Sequence, residues 1–322
     1  AQGIQRTAPL QAGEGDTRAL QKSDHVILAV LLLVAGGIVL QVGAQIRQMP
    51  TVGSPLSTDR AIDRNSIAVL PFQNVTGDPD QEFFAAGVHD ALITTLSKIG
   101  ALTVKAASSV NVYRNIVQPV RQTGLELGTA HLVEGSVFRT ADRVRINVRL
   151  ISAATEENLW SESYERGIED VLTLQNEISR TIAGQIQIEL TPDEMSRLQT
   201  DRTVSAEVYE TYLRGMYHLN QYTADGIQKG LAYLHQAVEL DPDDPLAYAG
   251  LAQGYTLIGH GTNPPPEAFA QARVAATRAL ELDPLFPEAH AAMAEIQLYY
   301  DWDWEGARRS FQRALQLSPN LG

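Results

Sequence analysis

The last third of the sequence repeats itself, and this repetition constrains the fold more than any single motif. Three segments end in Leu-Asp-Pro or Leu-Ser-Pro, with their prolines at Pro242, Pro284 and Pro319. An alanine precedes each proline by five residues, and a glycine or alanine precedes it by twelve. Small residues at fixed positions let two helices pack closely, and a proline ends the second helix of each pair. The pattern predicts three stacked helical hairpins, since one hairpin cannot bury its apolar face alone.

The spacing of the prolines indicates the class of repeat. The intervals are 42 and 35 residues, whereas a tetratricopeptide repeat has about 34 residues. The first interval therefore needs an insertion, and the segment GHGTNPPP at Gly259–Pro266 supplies it between the two helices of the second repeat. We expect about three tetratricopeptide repeats over residues 204–322, an all-α solenoid that looks truncated.

A long apolar segment near the start predicts a transmembrane helix over residues 25–45. From Val26 to Ala44 the chain has no charged residue and a single polar side chain, Gln41. A helix of this length spans roughly 28 Å, the hydrocarbon thickness of a bilayer. A signal peptide would carry a small-residue cleavage site, and a core helix would have a polar face. The slight excess of basic residues before the span places the polar segment 1–24 in the cytoplasm.

Residues 66–192 have the pattern of one α/β domain, and residues 46–65 form a linker before it. Ile67–Phe72 is a continuous apolar run, typical of a strand buried on both faces. Residues 144–150 alternate apolar and polar side chains, which predicts a half-buried antiparallel strand. Apolar residues from Val171 to Leu190 recur at helical spacing and predict one long helix. The complete order of elements is βαβαβββα.

The composition excludes several classes of function. The formal net charge is −13, so this portion repels phosphate backbones and we expect no nucleic-acid partner. The chain has no cysteine, which excludes disulfides and thiolate metal sites. The seven histidines form no metal-binding pair, and no nucleotide-binding or hydrolase motif is present. We therefore expect no catalytic residue, no cofactor and no metal in this chain.

Two charged clusters have simple structural explanations. Asp78, Asp80 and Glu82 lie at a predicted helix start, where acidic residues cap the helix and interact with its dipole; a cation site is the alternative. Arg143, Arg145 and Arg149 share one face of a strand, which is typical of a solvated face rather than an anion site.

Tyrosines in the first helices of repeats one and two are the candidate partner-binding residues. Most of them are expected to pack between helices. Tyr248 and Tyr255 are seven residues apart and share one helix face, so they are the predicted contacts for a protein or peptide partner on a concave surface.

Several ordered blocks of the sequence resemble TolB amino-terminal-like domains followed by tetratricopeptide repeats. The blocks lie at residues 66–72, 76–87, 126–128, 132–137 and 158–164, and the segment Tyr300–Trp304 resembles the repeats that follow such domains. The resemblance covers about residues 66–319. It implies a TolB-like α/β fold and an extracytoplasmic location for the soluble part.

In this family the module follows a transmembrane helix in bacterial signalling proteins. The resemblance implies a non-catalytic, membrane-anchored sensor or protein-interaction module of the bacterial envelope, in the inner membrane with periplasmic soluble domains. The alternative is the C-terminal regulatory part of a larger adenylate cyclase, serine/threonine kinase or winged-helix transcriptional regulator.

The predicted topology is testable with reporter fusions. Alkaline phosphatase fused after Gly322 should be active and green fluorescent protein fused there should be dark, because only an exported segment gives this pair of results. The same reporters fused before Ala1 serve as the reciprocal control, and the reverse pattern would contradict the extracytoplasmic assignment.

Overall fold

The structure is a computed structural model that describes residues 62–321 apart from residues 115, 141, 200–203 and 262–263. The predicted cytoplasmic segment 1–24, the predicted transmembrane helix 25–45 and the linker up to residue 61 lie outside the described residues. Within the described part of the chain, no helix is both long and apolar enough to cross a membrane.

The first half of the described chain forms a mixed sheet. Its strands are β1 (Ser66–Val69), β2 (Gln73–Asn74), β3 (Thr103–Val104), β4 (His131–Arg139), β5 (Arg143–Ser152) and β6 (Asn158–Gly167). The order across the sheet is β3-β1-β4-β5-β6, and β2 also pairs with β4. Pairs among β1, β2, β3 and β4 are parallel, whereas β4, β5 and β6 form an antiparallel meander.

Helices cover this sheet. They are α1 (Glu82–Ser97), α2 (Ala107–Val110), α3 (Val120–Leu127), α4 (Val171–Gln185) and α5 (Pro192–Leu198). Helix α1 is buried along most of its length, and α4 packs against both α1 and β6. Ile67, Ala68 and Val69 of β1 are fully buried, as the apolar run predicts.

The predicted long helix after β6 is wrong in its last five residues. Helix α4 ends at Gln185, and Gln187 adopts a left-handed conformation with φ of 62°. The N–H of Gln187 donates to the carbonyl of Gly184, and the N–H of Ile188 donates to the carbonyl of Ala183. This pair of hydrogen bonds is the Schellman motif that ends many helices. A second helix, α5, then begins behind Thr191, whose side chain forms a capping box with Glu194. Leu198 of α5 joins the apolar core, so the core continues beyond residue 192.

The second half of the described chain is helical. It comprises α6 (Ala206–Leu219), α7 (Ala224–Leu240), α8 (Pro245–Gly259), α9 (Ala268–Leu282), α10 (Pro287–Tyr299) and α11 (Trp304–Leu317). Consecutive helices pack against each other, and α6, α8 and α10 also contact one another in order. These three helices form an inner row. The predicted α/β domain followed by a helical region is thus confirmed.

The small residues of the sequence repeat lie at the closest helix contacts. Ala237, Ala279 and Ala314 are each at most 1% exposed. Each accepts a backbone hydrogen bond from the residue that ends its helix, namely Asp241, Asp283 and Ser318. The same backbone geometry therefore recurs three times, and its packing leaves no space for a larger side chain.

Replacing Ala279 with Leu should destabilise the helical region by about 1–3 kcal/mol, because three added carbons overpack a fully buried contact. Ala270→Leu on the exposed side of the same helix is the matched control, and it should change the free energy of unfolding by less than about 0.5 kcal/mol. Chemical denaturation of both variants measures the difference. Equal stability of the two variants would show that residue 279 is not a tight contact.

Candidate functional site

The two predicted partner-binding tyrosines lie on α8 and are half-buried. The hydroxyl of Tyr255 lies 2.7 Å from Nε2 of His235 on α7, and burial raises the pKa of Tyr255. The ring of Tyr248 lies 5.9 Å from the guanidinium carbon of Arg278 on α9. The structure therefore connects the two tyrosines to different neighbouring helices. Their role in partner binding stays a prediction.

The first helix of the inner row, α6, packs against the α/β domain and does not face open solvent. Leu213 of α6 packs onto Gly87 of α1, where an added Cβ would lie 2.6 Å from the leucine side chain. Tyr209 is 1% exposed, meets the ring of Phe84 edge-on at 6.4 Å, and accepts a hydrogen bond from Gln175 of α4 at 2.9 Å. Helix α6 is thus part of the α/β core.

A buried ion pair reinforces this junction. Arg139 at the end of β4 has a side chain only 9% exposed, and it bonds Glu210 of α6 at 2.5 Å and Gln81 at 2.8 Å. Burial opposes ionisation of Glu210, but hydrogen bonds from Arg139 and Arg214 outweigh it and lower the pKa of this carboxyl. Removing Glu210 would leave the buried Arg139 without its carboxylate partner, whereas removing Arg139 would leave Glu210 paired with Arg214. The geometry fixes the orientation of α6 on the sheet.

The far end of the helical region also contacts the α/β domain. Asn320, in the turn after α11, donates from its side chain to the carbonyl of Ile99 at 3.1 Å and from its backbone to that of Ser97 at 3.2 Å. Its side-chain oxygen accepts from the N–H of Val104 at 3.4 Å. The last turn of the helical region therefore lies on the corner between α1 and β3.

Charged groups line the space between these two junctions. Glu288, at the start of α10, keeps partial solvent contact, but its Oε1 is buried and has no hydrogen-bond partner among the described residues. Burial raises the pKa of Glu288, and Lys98 opposes the shift. Burial also raises the pKa of Tyr212 on α6, and the charge of Glu288 raises it further. Helices α6 and α10 thus converge near the carboxyl end of α1.

The acidic cluster at the start of α1 has a capping role. Asp78 accepts a hydrogen bond from the N–H of Asp80 at 2.9 Å and caps the short 3-10 turn before α1. Glu82 pairs with Arg114 at 2.7 Å. In the described ranges, no group of three or more histidine or acidic side chains is placed to hold a metal ion.

The arginine face of β5 is neutralised by neighbouring strands. Arg143 and Arg145 both bond Glu165 of β6, at 3.0 and 2.9 Å, and Arg149 bonds Glu134 of β4. Hydrogen bonds from Arg145 and Arg143 lower the pKa of Glu165. These cross-strand ion pairs are typical of a solvated sheet face, so the three arginines need no anionic ligand.

A cavity of about 650 Å³ lies at the other end of the sheet. Arg64, Arg121 and His131 contribute to its lining, and exposed Leu125 lies beside them. Burial lowers the pKa of His131, so its imidazole favours the neutral form. The volume is that of a small-molecule site, yet its opening is wide and nothing in the described residues selects one ligand.

The sequence analysis missed the residues that join the two halves of the chain. Arg139, Glu210, Glu288 and Asn320 stand in no motif, and only their positions in the fold bring them to the junctions. One signal was readable: Gly87 lies inside a segment that otherwise favours a helix, and an isolated glycine there is a mark of close packing.

The fold is that of a mixed α/β domain joined to a helical region, and comparisons with known proteins agree with this class. Residues 63–181 match the family described as HilA/YgeH-like transcriptional regulator, second domain. The match ends within α4, so it covers the sheet and α1 but not the helical region.

Curated relatives of two kinds are similar to this chain. Putative adenylate cyclase 3 of Rhizobium meliloti is 36% identical over 231 residues, which are 71% of this chain and 39% of that protein. Transcriptional regulator HilA of Salmonella typhimurium is 23% identical over 264 residues, which are 79% of this chain and 45% of that protein. The chain therefore spans less than half the length of either relative.

Two solved structures show partial similarity. TolB from Acinetobacter baumannii aligns with a TM-score of 0.30 and 19% identity, over 38% of this chain and 28% of that one. Lipoprotein GNA1162 from Neisseria meningitidis aligns with a TM-score of 0.29 and 19% identity, over 39% of this chain and 99% of that one. These overlaps are too partial to support an argument about function.

Replacing Glu288 with Gln should stabilise the protein at neutral pH. The raised pKa of Glu288 means that the folded state prefers the protonated carboxyl, so its stabilising contribution is present below the ordinary value of 4.5 and lost as pH rises. The gain in melting temperature should therefore shrink as pH falls toward about 4.5 and be absent below that pH. Glu267→Gln, at an exposed position, is the control and should show no such trend. A gain that is independent of pH would contradict the assignment.

Proposed function

We propose that this chain is a non-catalytic regulatory and protein-interaction module of a bacterial signalling protein. One observation carries the proposal. The chain is similar to parts of two relatives whose names state different activities, an adenylate cyclase and a transcriptional regulator, and the similar part is less than half of each. A segment shared by proteins with different named outputs is better explained as a common regulatory part than as the source of either output.

The arrangement of the helices supports the interaction role. Three helical hairpins stack with their inner helices in contact, and their small residues recur at equivalent buried positions. We assign these hairpins to the tetratricopeptide class on this pattern and on the spacing of the prolines. Repeats of this class present extended surfaces to protein or peptide partners. Tyr248 and Tyr255 remain the proposed partner contacts.

The shared core supports transmission of a signal between the two halves. Val208, Tyr209 and Leu213 of α6 are buried in the same apolar cluster as β1 and α1. A displacement of α6 by a bound partner therefore changes packing in the α/β domain, because a close-packed core does not deform continuously. The α/β domain is the part that lies closer in sequence to any upstream domain.

The membrane-anchored, periplasmic arrangement remains part of the proposal and rests on the sequence of residues 25–45. An upstream adenylate cyclase or transcriptional regulator domain is the alternative that the two named relatives favour; a kinase is the third possibility. In each case the chemistry resides outside residues 62–321, and this portion acts through its partners.

A segment exchange tests the regulatory role. The aligned 231 residues of the Rhizobium meliloti relative are replaced by the matching residues of this chain, and cyclic AMP production by the chimera is measured. We expect cyclase activity in the chimera and none in this chain alone, because the module carries no catalytic group. The control is a chimera with Arg139→Met, which breaks the junction with α6 and should alter regulation while the cyclase chemistry persists. Cyclic AMP production by this chain alone would contradict the proposal.

A further inference from the structure

The helical region is held on the α/β domain at two places that differ in kind. At the first junction, Tyr209 and Leu213 are buried against α1 and α4 in the main apolar cluster. At the second junction, the turn Ser318–Leu321 lies on the corner formed by residues 97–104. The first junction is an extension of the core, whereas the second is a contact between surfaces.

The second junction consists mainly of hydrogen bonds to one side chain. The amide of Asn320 donates to the carbonyls of Ser97 and Ile99 at 3.5 and 3.1 Å and accepts from the N–H of Val104 at 3.4 Å. Pro319 packs on Gly100, where an added Cβ would lie 3.4 Å from the proline Cγ. These groups all find substitutes in water when the contact opens.

The apolar clusters show the same division. The main cluster extends from the α/β domain into α6 and stops there. The clusters of the later helices are built from residues of α6 to α10 and, among the described residues, include none from the α/β domain. Opening the second junction therefore exposes little apolar surface, while opening the first would disrupt the core.

A buried carboxyl strains the closed arrangement. Oε1 of Glu288, whose carboxylate interacts with Lys98 beside the second junction, is buried without a hydrogen-bond partner among the described residues. The groups that face it are Lys98 of the α/β domain, Asp283 of the preceding turn and Tyr212 of α6. An ionised carboxylate in this position regains its hydration when the helices move apart, which favours opening at neutral pH.

We propose that Ser318–Leu321 is a reversible latch, which holds the inner row of helices closed over the corner at residues 97–104 of the same chain. The first junction at α6 is the fixed point. When the latch opens, Pro319 and Asn320 leave this corner, and the amino-terminal end of α10, whose Glu288 faces Lys98, becomes accessible to a partner. The latch adds regulation to the interaction module but is a property of this chain alone, so its test needs no partner.

The absence of cysteine from the sequence allows a clean covalent test. The built Cβ of Gly100 lies 4.0 Å from Cβ of Pro319, within the separation of about 3.5–4.5 Å that a disulfide requires. The double variant Gly100→Cys/Pro319→Cys should therefore cross-link under mild oxidation and open again with a reductant. The matched control is Gly100→Ser/Pro319→Ser, which has similar side chains but cannot cross-link.

Hydrogen exchange in the full chain reads out the state of the latch. We expect the amides of Val104 and Asn320, which donate across this junction, to exchange about tenfold more slowly in the oxidised variant than after reduction, an effect of one or two hydrogen bonds. Amides of α6 should exchange equally in both states, because that junction does not open. The serine control should show the exchange rates of the reduced protein, and the reductant should not change them.

Two results would overturn the latch. Failure of the folded cysteine variant to cross-link would show that the turn does not lie on this corner in solution. Cross-linking without any change in exchange would show a permanent contact rather than a reversible one.

A second experiment needs no cysteines. Asn320→Ala should speed exchange of the Val104 amide in an otherwise folded protein, whereas Gln312→Ala on the exposed face of α11 should not. Equal exchange in these two variants would also reject the latch.

Discussion

The close approach of α6 to α1 is the contact on which the arrangement of the two halves depends. It is possible because residue 87 is a glycine: the side chain of Leu213 occupies the space that a Cβ would need. Tyr209 fills the adjoining space and satisfies its hydroxyl through Gln175, so the contact buries a large aromatic ring without an unpaired polar group. The first helix of the helical region is consequently a core element of the α/β domain, and the two halves are not independent domains on a flexible linker.

The charged and polar contacts between the helical region and the α/β domain differ from one end of the helical region to the other. Near α6, the buried Arg139 pairs with Glu210, which also pairs with Arg214. Farther along, Oε1 of Glu288 has no hydrogen-bond partner among the described residues, and the last turn is held by the amide of Asn320. The attachment therefore changes from apolar and ion-paired at one end to hydrogen-bonded at the other. A module built in this way can keep its fold while one end moves.

The comparisons give this arrangement a functional context. A segment similar to this chain is found in proteins named as an adenylate cyclase and as a transcriptional regulator, and it accounts for less than half of each. Within the described residues, the charged clusters that resemble chemical sites are explained by caps and cross-strand pairs: Asp78 caps a turn, and Arg143 and Arg145 share Glu165. These contacts give both clusters a structural role.

The sequence by itself determined the elements that depend on local periodicity. Apolar runs and alternation predicted β1 and β5, and the spaced alanines and prolines predicted the three hairpins, because these signals arise from neighbours in the chain. Short β2, the left-handed turn at Gln187 and the separate helix α5 were missed, although the capping pair Thr191 and Glu194 was readable.

Only the tertiary structure decided how the two halves meet. Arg139 and Glu210 are 71 residues apart, and Asn320 and Ile99 are 221 apart, so no local pattern connects them. Their contacts follow from where α6 and the last turn come to lie, and that is set by the packing of a whole core rather than by any one segment.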